Sequence, residues 1–276
     1  MGLTEDYCGE DSYFYLLPVE YEKDVTYGDG ASKGSTKILK ASKHLEWYEE
    51  QFDNEPFVKG INTLEPLNLM GEKPERVKEI ISDEVKKYKD KFLITLGGDH
   101  SVTIGVVNGL LDKEDFSVLI LDAHSDMRHS WNNSKYNHAC VSKRISEKTS
   151  VGIIGVRSQD IDEAKEINES EKVNQLKAYD INDKRIKELL RQLKDKVYIS
   201  IDVDVFDPSF IRNTGTAEPG GFSWNQVIDI LKTVFVNKDV IAADIVEFAP
   251  KENFDAEAFS LARLAYKLMA LKLLDD

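Results

Sequence analysis

Cysteine is scarce in this chain. Only Cys8 and Cys140 occur among 276 residues, which excludes a fold stapled by disulfides and leaves reduced thiols as the expectation. Long apolar runs are missing too: none approaches the length of a membrane span. The first residues carry no basic segment leading into an apolar one, so no signal peptide is expected. Positive charge is in deficit. A net charge of −14 argues against a general binder of nucleic acid or of anionic membranes, both of which need basic faces. There is no internal repeat and no low-complexity linker. A soluble cytoplasmic protein built as one domain over residues 1–276 is the expectation.

What the chain does have is a pattern used three times. Lys91-Phe-Leu-Ile-Thr-Leu runs into Gly-Gly-Asp-His100, Ser117-Val-Leu-Ile-Leu into Asp122-Ala-His124-Ser-Asp126, and Val197-Tyr-Ile-Ser-Ile into Asp202-Val-Asp204. Short, nearly unbroken apolar runs read as strands buried on both faces, the mark of a parallel sheet. Further strands are expected near residues 13–18, 151–156 and 239–244. Helices are expected from about residue 35, from Pro74, over 102–111, around Ile186 to Leu193, from a Ser223–Gln226 capping box, and over 257–274. Residues 47–72 give no clear signal. The alternation predicts an α/β fold, a three-layer α/β/α sandwich with a mostly parallel central sheet. Ligands of such sheets sit at the carboxyl ends of the strands, where all three clusters lie.

Each cluster also has an ordinary reading. A lone Asp after a strand is a common turn former, glycines after a strand often only make a turn, and a lone histidine such as His100 is more often a satisfied core residue. Asp202-Val-Asp204-Val-Phe-Asp207 invites comparison with a calcium loop, but Asp207 stands where that loop needs glycine and Asn213 where it needs glutamate. Charge favours a metal centre. Asp122, Asp126, Asp202 and Asp204 meeting in one cleft would carry about −4, which cannot persist without counter-charge. Two divalent cations cancel it, with His100 and His124 adding one nitrogen to each. Mostly hard oxygen ligands favour manganese, with zinc and cobalt as alternatives.

These segments resemble the ureohydrolase family, which includes arginase, agmatinase and guanidinobutyrase. The matching motifs are Gly-Gly-Asp-His100-Ser, Asp122-Ala-His124-Ser-Asp126 and Ser200-Ile-Asp202-Val-Asp204-Val-Phe-Asp-Pro208. Gly215-Thr-Ala-Glu218-Pro-Gly-Gly221 is a fourth. The likeness runs from about Tyr13 to the C-terminus. It implies two Mn2+ ions bridged by Asp122 and Asp202, with His100 and Asp126 completing one and His124 and Asp204 the other. It also implies a homo-oligomer, trimer or hexamer. Ala217 and Ala249 depart from the pattern, where proline and asparagine are usual; neither is a metal ligand.

The resemblance further implies hydrolysis of a guanidino group, with Glu218 holding the guanidinium, Asp126 taking the nucleophile's proton and His138 protonating the leaving amine. His138 is taken over His129 because the family pattern places the catalytic histidine in His-Ala-Cys140. The Asn137 to Arg144 stretch looks most like agmatinases, which make putrescine and urea from agmatine. Arginase, guanidinobutyrase, formimidoylglutamase and a deacetylase-like amidohydrolase are the alternatives. The second cation of agmatine wants carboxylates or aromatic faces. Asp160, Asp162 and Glu163 are candidates for the former and Trp131 and Tyr136 for the latter, against a plain solvated loop. Arg128 is a surface residue, a partner for a nearby acid, or a reader of a substrate carboxylate.

Overall fold

The apolar runs pair as strands, and every named pair is parallel. The computed structural model describes residues 2, 4–112, 114–251 and 256–274. In chain order the strands are β1 (Phe14–Glu20), β2 (Ile61–Thr63), β3 (Leu67–Asn68), β4 (Phe92–Leu96), β5 (Ser117–Leu121), β6 (Val151–Val156), β7 (Val173–Lys177), β8 (Lys196–Asp202) and β9 (Asp239–Val246). They form one sheet in the order β2-β1-β4-β9-β8-β5-β6-β7, with β3 also pairing β1. The helices are α1 (Gly34–Ser42), α2 (Pro74–Val85), α3 (Val102–Leu111), α4 (Val141–Ser146), α5 (Ile161–Glu169), α6 (Asp183–Leu190), α7 (Trp224–Asn237) and α8 (Ala256–Lys272).

Successive strand residues point to opposite faces, and the core divides accordingly. Phe14, Leu16, Ile94, Leu119 and Ile199 pack with Ile38 of α1, Ile186 of α6, Val227 of α7 and Leu261 of α8. Tyr15, Leu17, Leu93, Val118 and Ile153 pack with Ile81 of α2, Val106 of α3, Val141 of α4 and Ile167 of α5. The result is the expected three-layer sandwich. The full burial of β4 and β5 on both faces explains why their sequences show no polar alternation.

The central helices begin where their sequences say. Pro74 opens α2, and the Ser223–Gln226 capping box opens α7. The region 47–72, silent in sequence, holds a 3₁₀ turn (Pro56–Lys59) and the short strands β2 and β3 on the flank of β1. Three further elements, α4, α5 and β7, stand outside the sequence-based expectation, although α5 opens on an Asp160–Glu163 capping box; β7 is half-buried Val-Asn-Gln-Leu-Lys at the sheet's other edge. Among the described residues, no helix is long and apolar enough to cross a membrane.

Candidate active site

Four adjacent strands, β4, β9, β8 and β5, end side by side, and the chain leaves each of them on a carboxylate or imidazole. The turn after β4 requires glycine. A Cβ on Gly98 would lie 1.7 Å from the Tyr21 carbonyl oxygen, so only a bare backbone lets His100 be presented against the end of β1. The Asp99 carboxylate then fixes the turn, accepting from Lys23 N at 2.8 Å and Ser101 N at 3.0 Å.

The six residues expected to bind metal converge. His100 Nδ1 lies 3.1 Å from Asp122 Oδ2, 3.2 Å from Asp126 Oδ2 and 3.3 Å from Asp202 Oδ2. His124 Nδ1 lies 2.9 Å from Asp204 Oδ2 and 3.5 Å from Asp122 Oδ1. Asp122 thus turns one oxygen to each histidine. Two compact ligand groups result, His100 with Asp122 and Asp202, and Asp122 with His124 and Asp204. His100 is 0% exposed and Asp122 1%, so these charges have little water to screen them.

The donor chemistry fits divalent cations. Ser200 Oγ donates to Asp244 Oδ1 at 2.6 Å, so it is left to accept from His100 Nε2 at 3.0 Å. Asp244 is itself held by the Thr103 hydroxyl at 2.7 Å and the Tyr198 hydroxyl at 2.5 Å. That chain of bonds places a proton on His100 Nε2. Yet Nδ1 faces three carboxylate oxygens, and it has no hydrogen-bond partner. Burial opposes a charged His100, but Asp122, Asp126 and Asp202 outweigh it and hold the imidazole well above its usual range; a divalent cation at Nδ1 would take the place of that second proton. Protons can balance the cluster only at a cost in ionisation. Burial, then the Asp122 charge, pushes Asp126 up to about 7. Burial, then Asp204 and Asp122, holds Asp202 well above the carboxylate range. Burial opposes a charged His124, but Asp204 and Asp122 outweigh it and push the imidazole up to about 12.

A cavity of about 410 Å³ opens over this cluster. His138 enters it from a 3₁₀ turn (His138–Cys140) capped by Asn137, whose Oδ1 accepts from Ala139 N at 3.0 Å. Its Nε2 is 2.9 Å from Thr26 Oγ1, and its Nδ1 is buried without a partner. Burial, then the nearby imidazoles of His100 and His124, lowers His138 to about 4. Burial, then the Asp126 charge, raises the adjacent Cys140 thiol to about 11, so no thiolate is available there at neutral pH.

Glu218 lines the cavity on a loop tied down from two sides. Arg157 donates to the carbonyl oxygens of Asp204 (2.6 Å), Glu218 (2.8 Å), Pro219 (3.1 Å) and Gly155 (3.2 Å). Asp207 accepts from Gly220 N and Gly221 N. Asp160 also lines the cavity, capping α5 and lying 3.8 Å from Arg128 Nη2. Asp162, expected beside it, is outside the lining and pairs with Lys165 at 3.1 Å on an exposed surface. Two residues beyond the cap, its side chain is turned away from the cleft. Glu163 lines the cavity while accepting from Met127 N and Asp160 N. Arg128 stacks on Trp131, 4.7 Å from the ring. Tyr136 lies under Lys78 instead, and His129 is exposed beside Glu166; neither lines the cavity.

Sequence reasoning missed Glu247. It follows β9, lines the cavity, and accepts from His100 N at 2.7 Å. Burial, then the Asp99 charge, holds its carboxyl well above the usual range. Its φ of 65° is one that a non-glycine residue adopts at a cost, and Asp126 (51°) and Asp24 (53°) share that strain. The signal was present in sequence: residues 239–246 form a fourth apolar run ending on a carboxylate.

Residues 12–271 match the profile described as the arginase family. The "N(1)-aminopropylagmatine ureohydrolase" of Thermus thermophilus is 35% identical, over 95% of this chain and 91% of that protein. The agmatinase of Pyrococcus horikoshii is 32% identical, over 95% of this chain and 93% of its own length. Among solved structures, the agmatine ureohydrolase of Thermoplasma volcanium superposes with a TM-score of 0.83 at 29% identity, covering 96% of this chain and 91% of that one. With its strand order, its paired ligand groups and these relatives in agreement, the chain belongs to the arginase family and is a ureohydrolase of that family.

Proposed function

We propose that the protein hydrolyses the guanidino group of agmatine, releasing urea and putrescine, with two Mn2+ ions held by His100, Asp122, His124, Asp126, Asp202 and Asp204. The observation that carries the reading is the convergence of His100 Nδ1 with three carboxylate oxygens, beside a second group of His124, Asp122 and Asp204. Bound there, the ions supply the Lewis acidity that makes water a nucleophile near neutral pH. Hard oxygen ligands support manganese.

The remaining steps belong to side chains. Asp126 takes a proton from the attacking water, and His138, neutral at pH 7 but a strong acid once it takes up a proton, delivers one to the leaving amine. Glu218 was the sequence-based choice for the guanidinium. Glu247 is better set for it, being hydrogen-bonded to the backbone of the buried metal ligand His100. A guanidinium would restore the charge that burial suppresses on Glu247. Glu218 and Asp160, on the outer wall, then face the alkyl amine. Outside the cluster the lining holds four carboxylates, Asp160, Glu163, Glu218 and Glu247, against the single guanidinium of Arg128, a balance that favours a substrate with a distal cation.

A second reading, agmatine bearing an aminopropyl tail, is favoured by the relative at 35% identity, whose name specifies that compound. Both readings take residues 1–276 as one cytoplasmic ureohydrolase domain that assembles as a homo-oligomer, trimer or hexamer.

Urea release by the manganese-loaded enzyme is the test, run with agmatine, aminopropylagmatine, arginine, guanidinobutyrate and formiminoglutamate. The highest kcat/KM is expected on agmatine, and on the aminopropyl compound under the second reading. Preference for arginine or guanidinobutyrate would overturn the cationic tail and make Arg128 a carboxylate reader. Formamide from formiminoglutamate, with no urea from any guanidine, would overturn both.

A further inference from the structure

The loop carrying Thr26 is pinned along its length. Lys23 N donates to Asp99 Oδ2 at 2.8 Å, Gly28 N to Gly215 O at 3.0 Å, and Gly30 N and Ser32 N to the Glu22 carboxylate at 3.0 and 2.8 Å. One end is thereby fixed to the turn that presents His100, and the middle to the strand of chain leading to Glu218. Gly28 sits close against its neighbours, since a Cβ there would lie 3.0 Å from Thr214 O and 3.1 Å from Gly215 O. A loop held this way delivers the Thr26 hydroxyl to a fixed point, 2.9 Å from His138 Nε2. The other ring nitrogen, Nδ1, is buried, and among the described residues Thr26 makes the ring's one hydrogen bond.

We propose that Thr26 is a catalytic residue for the reaction, its hydroxyl holding His138 Nε2 in both protonation states of the ring and passing the Nε2 proton on to the leaving amine. This rests on the reading of His138 as the proton donor. A hydroxyl both donates and accepts. Facing a bare Nε2 it donates, and facing Nε2–H it turns and accepts, so the ring keeps its orientation through the cycle. In the transfer itself the C–N bond breaks, its electron pair stays on the amine nitrogen, and that nitrogen takes the Thr26 hydroxyl proton as the hydroxyl oxygen takes the proton on Nε2. The neutral ring then recovers a proton from water, while Thr26 is unchanged.

The test is a double-mutant cycle on the manganese-loaded enzyme with Thr26→Val, Thr26→Ser, His138→Ala and Thr26→Val/His138→Ala, each checked for manganese content and Tm. Thr26→Val is expected to lower kcat about tenfold with KM unchanged, and Thr26→Ser to restore it. In the His138→Ala background, Thr26→Val should change kcat by less than about twofold. Full activity in Thr26→Val, or an equal loss in both backgrounds, would overturn the role of Thr26 while leaving that of His138 intact. Full activity in His138→Ala would instead overturn the proton-donor reading, and the role of Thr26 with it.

Discussion

The floor and the outer wall of the cavity are built on different principles. The floor is made at strand ends: β4, β5 and β8 stop within a few residues of His100, Asp122 and Asp202, and the ligands are buried and held by backbone geometry. The outer wall is made of loops and the first turn of α5, where Arg128, Asp160 and Glu163 answer one another's charge and Trp131 stacks on Arg128. A rigid floor can hold two cations at fixed separation, whereas a wall of mutually paired side chains can exchange those partners for a substrate's. The chemistry therefore belongs to the floor and the choice of substrate to the wall.

Substitutions should separate the two regions. Glu247→Gln keeps the oxygen that accepts from His100 N but loses the charge, and should cut kcat/KM about a hundredfold with both manganese ions retained; paired metal analysis and urea kinetics check it. Arg157→Lys keeps a cation but not the fork that spans Asp204 and Glu218, and is expected to cost about tenfold in kcat/KM. If lysine serves as well as arginine there, the two regions are not coupled through that residue. Asp160→Asn should raise KM for a guanidine with a distal ammonium about threefold, with kcat unchanged, since the site is half-exposed and its pairing weak.

The smallest effect is one of pH. The Ser209 hydroxyl and N–H, with the backbone N–H groups of Gly220 and Gly221, hold Asp207 down at about 2. A carboxyl whose pKa falls on folding stabilises the loop above its unfolded value, about 3.9, and loses that contribution as pH falls through the folded one. The Tm difference between wild type and Asp207→Asn should therefore be full at pH 5 and shrink below about pH 3.9. A difference independent of pH would mean that charge is not what holds the loop.

Legibility in sequence followed the same division. β4 and β5 and the ends of the metal-bearing runs were readable because full burial leaves an unbroken apolar signal, and the ligands follow it directly. Glu247 carried the same signal after β9 but stood alone, without a histidine or second aspartate to mark it. Which of Asp160 and Asp162 faces the cleft depends on where α5 begins, and the signal for that start, the Asp160–Glu163 capping box, was in the sequence but unused. Thr26 was invisible as a site residue: it lies 112 positions from His138, and no local property of a glycine-rich loop reveals what it touches. β2 and β3 are too short to be read from sequence, since they form only through pairing with β1.

The central claim is that six side chains hold two divalent ions between them, with Asp122 shared. Manganese stoichiometry of the wild type and of Asp122→Asn, measured by equilibrium dialysis with elemental analysis, tests it most directly. Two ions per chain are expected in the wild type, with both sites weakened together in the variant, because one Asp122 oxygen faces each histidine. A wild type that saturates at one ion, or a variant that still binds two with unchanged affinity, would contradict it.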